Sequence, residues 1–576
     1  MTVQQIESHP VAWARPESLP AGTPRAGRAS DPRWWRTAVI YEIYPRSFAD
    51  GNGDGTGDLA GVRQRLPYLR DLGVDAVWFT PWYVSPLADG GYDVADYRAI
   101  DPMFGSLEEA ELLIAEARAL GIRTIVDVVP NHISDQHPWF QAALAAGPGS
   151  AERSRFWFRA GGGANGDAMP TAWVSNFAGT TWTRTTDPEG APGEWYLHLF
   201  TAEQPDLNWD HPDVRREFED VLGFWFDRGA AGIRIDSAAL LVKDAALPEV
   251  PADPGPGEHP NTDRDEIHEI YRGWRAVADR YDDPKALVGE LWIADLERFA
   301  RYLRPDELHT AFNFDFLTRP WDAAALRSSI DVTLAAHAPV DAPPTWLLSN
   351  HDVTRPVTRY GREDTAFAFL AKRWDVPTDP VLGEQRARAA ALLVAALPGS
   401  LYIYQGDELG LDEVEDLPRH RLQDPMHFRS GGVDPGRDGC RVPLPWSGDR
   451  APFGFSPAES GAEPWLPQPD RWASRTVEAQ AADPASMLSL YRSALGIRRA
   501  EPAFHDGSFA WLASSVDVLA FRRGEGLVSM TNFGTGLVDP PPGGELLLAT
   551  AELVDGRLPE NAGAWWRIPV APAGHE

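Results

Sequence analysis

Short apolar runs recur along the chain, at 39–44, 76–80, 124–129, 230–235, 287–291, 310–314, 345–348 and 401–404. Helical periodicity fills the intervals, most clearly at 107–120 and 385–396. Eight strands alternating with helices predict an α/β fold, a (β/α)8 barrel. The doubly wound sheet is the competing arrangement, and the chain lacks a Gly-rich phosphate fingerprint after its first strand. The interval 133–210 is too long for a plain connection and predicts an inserted subdomain after the third strand. The barrel then occupies 31–132 and 211–500, and a second Pro/Gly-rich loop spans 248–260. After residue 500 the pattern turns to short strand-like pieces such as 516–522 and 527–531, a small antiparallel β-sandwich domain. Residues 1–30 have no periodicity and read as a tail.

Composition narrows the function. Lys and Arg number 53 against 84 Asp and Glu, a net charge of −31 that repels nucleic acid and anionic membrane. No apolar run reaches membrane-spanning length, and the start lacks a secretory apolar core, so a cytoplasmic enzyme is expected. The single Cys440 excludes an intrachain disulfide framework and a multi-thiolate metal site, and is expected to be packed rather than reactive. Part of the excess of 23 Trp is expected to be core, and the rest is a weak hint of sugar stacking.

Polar residues at the strand ends carry the chemistry. In 230–240, Arg234 and Asp236 alternate with Ile233 and Ile235, so period two puts both charges on one face. Alone, such a pair reads as structural. The third run ends Asp127-Val-Val-Pro-Asn-His132, the fifth Gly289-Glu290-Leu-Trp292 and the seventh Asn350-His351-Asp352, while Gly91-Tyr92-Asp93 follows the second. After the first comes Asp50-Gly-Asn-Gly-Asp-Gly-Thr-Gly-Asp58. Its oxygen donors Asp50, Asn52, Asp54, Thr56 and Asp58 alternate with glycine, a spacing that suits a hard cation.

In type, order and spacing these motifs resemble the α-amylase superfamily of glycoside hydrolases, family 13, over about residues 33 to 576. The resemblance implies that Asp236 is the nucleophile and Glu290 the general acid/base, with Asp352 binding sugar hydroxyls and stabilising the transition state. It also implies that His132 and His351 donate hydrogen bonds to the same glucose, that Tyr92 stacks on its ring and that Arg234 holds Asp236 charged. Arg437 resembles the arginine of exo-acting members, and an Asp93–Arg437 pair is expected to close the pocket behind the first glucose. Gln204-Pro-Asp-Leu-Asn208 resembles the signature of the oligo-1,6-glucosidase and α-glucosidase branch. Endo-acting amylases carry Lys-His where this chain has Ala239-Leu240, and α-1,6-specific relatives tend to have Val in place of Ser237.

The expectation is an exo-acting, retaining α-glucosidase acting on terminal α-1,4-linked glucose of maltose and short oligosaccharides. It needs no catalytic cofactor; the 50–58 loop would hold a structural Ca²⁺ or Mg²⁺. The alternatives are a glucosyl-transferring or isomerising enzyme such as a trehalose synthase, a sucrose-cleaving enzyme and, from another class, a non-catalytic binding subunit. The last is expected to lose a catalytic carboxyl, and this chain keeps all three.

Overall fold

The computed structural model describes residues 31–186, 190–505 and 508–569; the expected tail, 1–30, lies outside them. Eight parallel strands form one sheet: β1 (Val39–Ile43), β2 (Ala76–Phe79), β3 (Arg123–Val128), β4 (Gly232–Ile235), β5 (Ala286–Gly289), β6 (Thr310–Ala311), β7 (Thr345–Trp346) and β8 (Ser400–Tyr404). Their order is β6-β5-β4-β3-β2-β1-β8-β7, so the sheet curls until β6 meets β7. That seam is stitched by a side chain: Thr345 Oγ1 donates to Ala311 O at 2.7 Å and accepts from Asn313 N at 3.0 Å. Both seam strands are shorter than their apolar runs suggest.

Strand periodicity sorts the barrel into two faces. Val39, Tyr41 and Ile43 of β1, Val77 and Phe79 of β2, and Ile233 and Ile235 of β4 point outward into the core shared with the helices. Ile40, Ala76, Trp78, Ile125, Ala286 and Val288 fill the interior. Continuing the same alternation toward the strands' C-terminal ends brings charged groups inward. Asp127 of β3 lies in register with Arg234 of β4, and Glu42 of β1 is buried one strand from Trp78. The helix after β2, Leu107–Ala119, starts with a capping box in which Ser106 and Glu109 satisfy each other's backbone amides, worth about 1 kcal/mol.

Between β3 and β4 the chain builds a helix, Pro138–Ala146, and a three-stranded antiparallel sheet of Phe158–Arg159, Trp182–Thr186 and Pro192–Leu197. Trp157, Trp173 and Trp182 join Leu197, Leu199 and Leu247 in its core, so part of the tryptophan excess is structural. Beyond the helix Met487–Ala500 lies a five-stranded antiparallel sheet that includes Val518–Arg523, Leu527–Asn532 and Ala562–Arg567. One face, with Phe521 and Trp565, merges with the barrel core, and Trp565 Nε1 donates to Leu392 O at 3.2 Å. The other face packs against connecting segments that include Leu553 and Leu558. Among the described residues no helix is long and apolar enough to cross a membrane.

Candidate active site

At the C-terminal mouth of the barrel one guanidinium organises three carboxyls. Arg234 Nη1 lies 3.0 Å from both oxygens of Asp127 and 2.9 Å from Asp236 Oδ1, and Nη2 lies 2.7 Å from Glu290 Oε2. Burial raises Asp127 to about 7 against the pull of Arg234. Burial and the neighbouring Glu290 push Asp236 well above the usual carboxylate range, with Arg234 opposing. Like charges so close do not both ionise cheaply, so the site favours holding a proton within this group. Glu290 is aimed by two donors, Ser237 N at 2.9 Å and Trp292 Nε1 at 3.1 Å. Ser237 adopts φ +46°, an unfavourable conformation for a residue with a side chain, and thereby turns its amide toward Glu290.

Asp352 is of the opposite electrostatic kind. Burial alone would raise it, but His351, Arg437 and Arg441 hold it far below the usual carboxylate range. Arg437 Nη1 and Arg441 Nη2 donate to its Oδ1 at 3.0 and 2.8 Å. The site thus carries one firmly ionised carboxylate, Asp352, beside Asp236, whose proton affinity burial and Glu290 raise, so that Arg234 alone does not hold Asp236 charged as expected.

The remaining expected residues gather around these. Tyr92 stacks in parallel on His351, ring centroids 5.3 Å apart, and its hydroxyl is 3.2 Å from Asp127. His351 Nδ1 meets Glu42 at 2.5 Å. Burial lowers His132 to about 4, leaving it neutral, with Nε2 3.1 Å from Tyr92 O and 3.0 Å from Gln204 Nε2.

One expected pairing is corrected. Arg437 does not meet Asp93; its guanidinium contacts Asp89 at 2.6 Å and Asp424 at 2.7 Å besides Asp352. Asp93 is turned inward, accepting from Ser85 Oγ and Ala88 N at 2.9 Å and from Asp89 N at 3.1 Å. The physical reason is the tight loop: Gly90 and Gly91, at φ +59° and +110°, reverse the chain so that Asp89 faces the mouth while Asp93 closes the turn behind it. Sequence reasoning also missed Glu42, Asp424 and Arg441. An acid inside the apolar run Val-Ile-Tyr-Glu-Ile was the available signal for the first, and an arginine four residues after Arg437 for the last.

In the 50–58 loop, Asp50 accepts from Gly53 N and Gly55 N at 2.6 and 2.8 Å, and Asp58 from Gly61 N and Asn52 N at 2.6 and 3.0 Å. Asn52 and Asp54 accept from Asp54 N and Thr56 N, both at 2.8 Å. Among the described residues no group of three or more His, Cys, Asp or Glu side chains is placed to hold a metal ion, so any cation here would depend on the Asn, Thr and backbone oxygens as well. Cys440 is buried, its thiol 3.2 Å from His351 O.

The alpha-amylase catalytic-domain family matches residues 42–507. The chain belongs to the α-amylase family. Within family 13 it falls in the α-glucosidase-like branch, a glycoside hydrolase on a barrel with a C-terminal β domain. It is 36% identical over 516 residues to a probable α-glucosidase of Rhizobium meliloti (strain 1021), covering 86% of this chain and 88% of the relative. It is 37% identical over 528 residues to a trehalose-6-phosphate hydrolase of Escherichia coli (strain K12), covering 85% and 89%. The solved trehalulose synthase MutB of Pseudomonas mesoacidophila MX-45 superposes with a TM-score of 0.81 at 30% identity, over 93% of this chain and 99% of that one.

Proposed function

We propose that this family member is an exo-acting, retaining α-glucosidase that releases terminal α-1,4-linked glucose from maltose and short oligosaccharides. The observation that carries the reading is the wall behind Asp352. Arg437 is buried and tied to Asp89, Asp424 and Asp352, a cluster that on this reading closes the pocket behind the first glucose. Asp236, as carboxylate, attacks the anomeric carbon while the glycosidic bond breaks and Glu290 protonates the departing oxygen. Water then attacks the glycosyl-enzyme, giving its proton to Glu290 and freeing Asp236. Such chemistry calls for carboxyls about 5–5.5 Å apart. Asp352 binds sugar hydroxyls. Trp292, 40% exposed, lies beside Glu290 and stacks on Phe314 with centroids 3.9 Å apart. Its exposed part is suited to the leaving sugar.

The second reading is glucosyl transfer or isomerisation, favoured by the likeness to a trehalulose synthase; there a sugar hydroxyl intercepts the same glycosyl-enzyme. No cofactor takes part in catalysis on this reading. A Ca²⁺ or Mg²⁺ held by Asp50, Asn52, Asp54, Thr56 and Asp58 would brace the loop and stand outside the chemistry.

The test is Asp236→Asn with p-nitrophenyl-α-glucoside: nitrophenol release is expected to fall by about 10⁴-fold or more. Undiminished release would remove Asp236 as nucleophile. Separating every sugar formed from maltose, trehalose, sucrose, isomaltose and maltotriose then decides between hydrolysis and transfer. Glucose accumulating from maltose supports hydrolysis, and a new disaccharide replacing maltose supports isomerisation.

A further inference from the structure

The segment that carries Arg437 and the inserted subdomain lie far apart in sequence, and the side-chain hydrogen bonds of Arg429 join them. Arg429 closes the short helix Pro425–Arg429, whose N-cap, Asp424, anchors Arg437. From there its guanidinium crosses to the inserted subdomain. Nε donates to Ala178 O at 3.0 Å and Phe177 O at 3.3 Å, and Nη2 to Ala178 O at 2.7 Å and Thr180 O at 3.1 Å. Among the described residues Arg429 forms no ion pair; these three carbonyls accept from its guanidinium, and the charge of Glu203 acts on it.

The receiving loop is shaped for the contact. Ala178 and Gly179 take φ +65° and +78°. The first is a left-handed conformation that a residue with a side chain adopts only at a cost. It curls the carbonyls of Phe177, Ala178 and Thr180 toward one point. A Cβ added at Gly179 would stand 3.2 Å from Arg429 Nη2. The adjoining side chain, Phe177, is buried beneath the Arg437 guanidinium, 4.8 Å from its ring centre. Phe177 also contacts Phe200 at 5.1 Å, and Phe200 contacts His132 at 4.9 Å.

We propose that Arg429 is a specificity-determining positioning residue, a latch that pins the 177–180 loop against the Arg437 wall and so sets how tightly the pocket grips a chain-terminal glucose. This rests on the exo reading above. Freed of the latch, the loop loses its side-chain hydrogen bonds from the 425–437 segment among the described residues, and Phe177 no longer backs Arg437. Because Arg429 touches none of the carboxyls at the reacting centre, its loss removes binding shared by ground and transition states, which appears in KM and not in kcat.

The experiment uses the full chain with Arg429→Gln, Gly179→Ala and the double variant, which reach the same contact from its two sides. Kinetics are read on p-nitrophenyl-α-glucoside and on a p-nitrophenyl maltooligoside blocked at its non-reducing end. For either single variant the expected result is a KM about tenfold higher with kcat within about twofold, and the double variant should be no worse than either single. Arg429→Lys should recover part of the KM, since an ammonium still reaches a carbonyl but lacks the fork. Unchanged KM in Arg429→Gln overturns the latch, as does a loss confined to kcat, or a double variant whose effects multiply as if the two sites were independent. Failure of Arg429→Gln to fold leaves Gly179→Ala and Arg429→Lys to decide by the same KM criterion. The wild-type enzyme cutting the blocked substrate would instead refute the exo reading, whatever the variants do.

Discussion

Lys243 offers a direct test of how the inserted subdomain is held to the barrel. Its ammonium is fully buried, 2.8 Å from Asp206 Oδ2, 2.6 Å from Asn131 Oδ1 and 2.8 Å from Leu240 O. It therefore joins the segment after β4 to the end of β3 and to the returning segment of the insertion. Asp206 Oδ1 is already occupied, accepting from Leu199 N at 3.0 Å and Asn131 Nδ2 at 3.2 Å. Lys243→Met keeps the stem's volume but leaves a buried carboxylate without its cation, a loss of about 3–5 kcal/mol. Unfolding entropy of about 2.1 cal/mol/K per residue over 576 residues gives about 1.2 kcal/mol/K if the chain melts as one. The loss then corresponds to a Tm drop of about 3–4 °C. Adding Asp206→Asn removes the stranded charge yet keeps an oxygen for Leu199 N, so the double variant should regain more than half of the drop. Differential scanning calorimetry on the four proteins reads the cycle. A Tm for Lys243→Met within 1 °C of wild type, or a double variant less stable than Lys243→Met, would refute the assignment of Lys243 as the counter-charge.

Three further outcomes follow from other groups. His309, under β5 with Nδ1 accepting from Leu287 N at 3.0 Å, is lowered by burial to about 3. The unfolded chain takes that proton near pH 6.5 and the folded one refuses it, so this stability is complete above 6.5 and drains as pH falls toward 3, by up to about 4 kcal/mol. His309→Gln, which keeps the acceptor, should show a flatter Tm decline from pH 7 to 4; parallel curves would contradict this. At Ser237, φ +46° makes Val costly by about 1–2 kcal/mol and Gly favourable. Ser237→Val should lower Tm and lower the maltose-to-isomaltose ratio of kcat/KM, and an unmoved ratio would end the linkage argument. Chelation should lower Tm without lowering kcat, with recovery on adding Ca²⁺ or Mg²⁺, if the 50–58 loop holds an ion; an unchanged Tm after exhaustive chelation removes that proposal.

The reach of the sequence reading follows the range of the forces involved. Strand periodicity is local, so the eight strands, the inward-facing Arg234 and Asp127, and the acids at the strand ends could be read from neighbours two residues apart. Glu42 was lost because its run is otherwise apolar, and an acid there makes sense only once His351, 309 residues away, is seen against it. The tryptophan count could not say which of its residues are core. Trp157, Trp173 and Trp182 are needed because a small inserted sheet must build its own core, whereas Trp292 is exposed beside Glu290. Arg437 makes the point most clearly. Its carboxylate partners are 13, 85 and 348 residues away, and spacing cannot rank Asp89 against Asp93 when both lie on one loop. The ranking comes from backbone conformation: Gly90 and Gly91 reverse the chain, Ser85 and two amides consume Asp93, and Asp89 is the acid left to face the cation. A charged residue on a tight loop is therefore assigned only after the loop's own amides have been satisfied, and the acid they leave over forms the site.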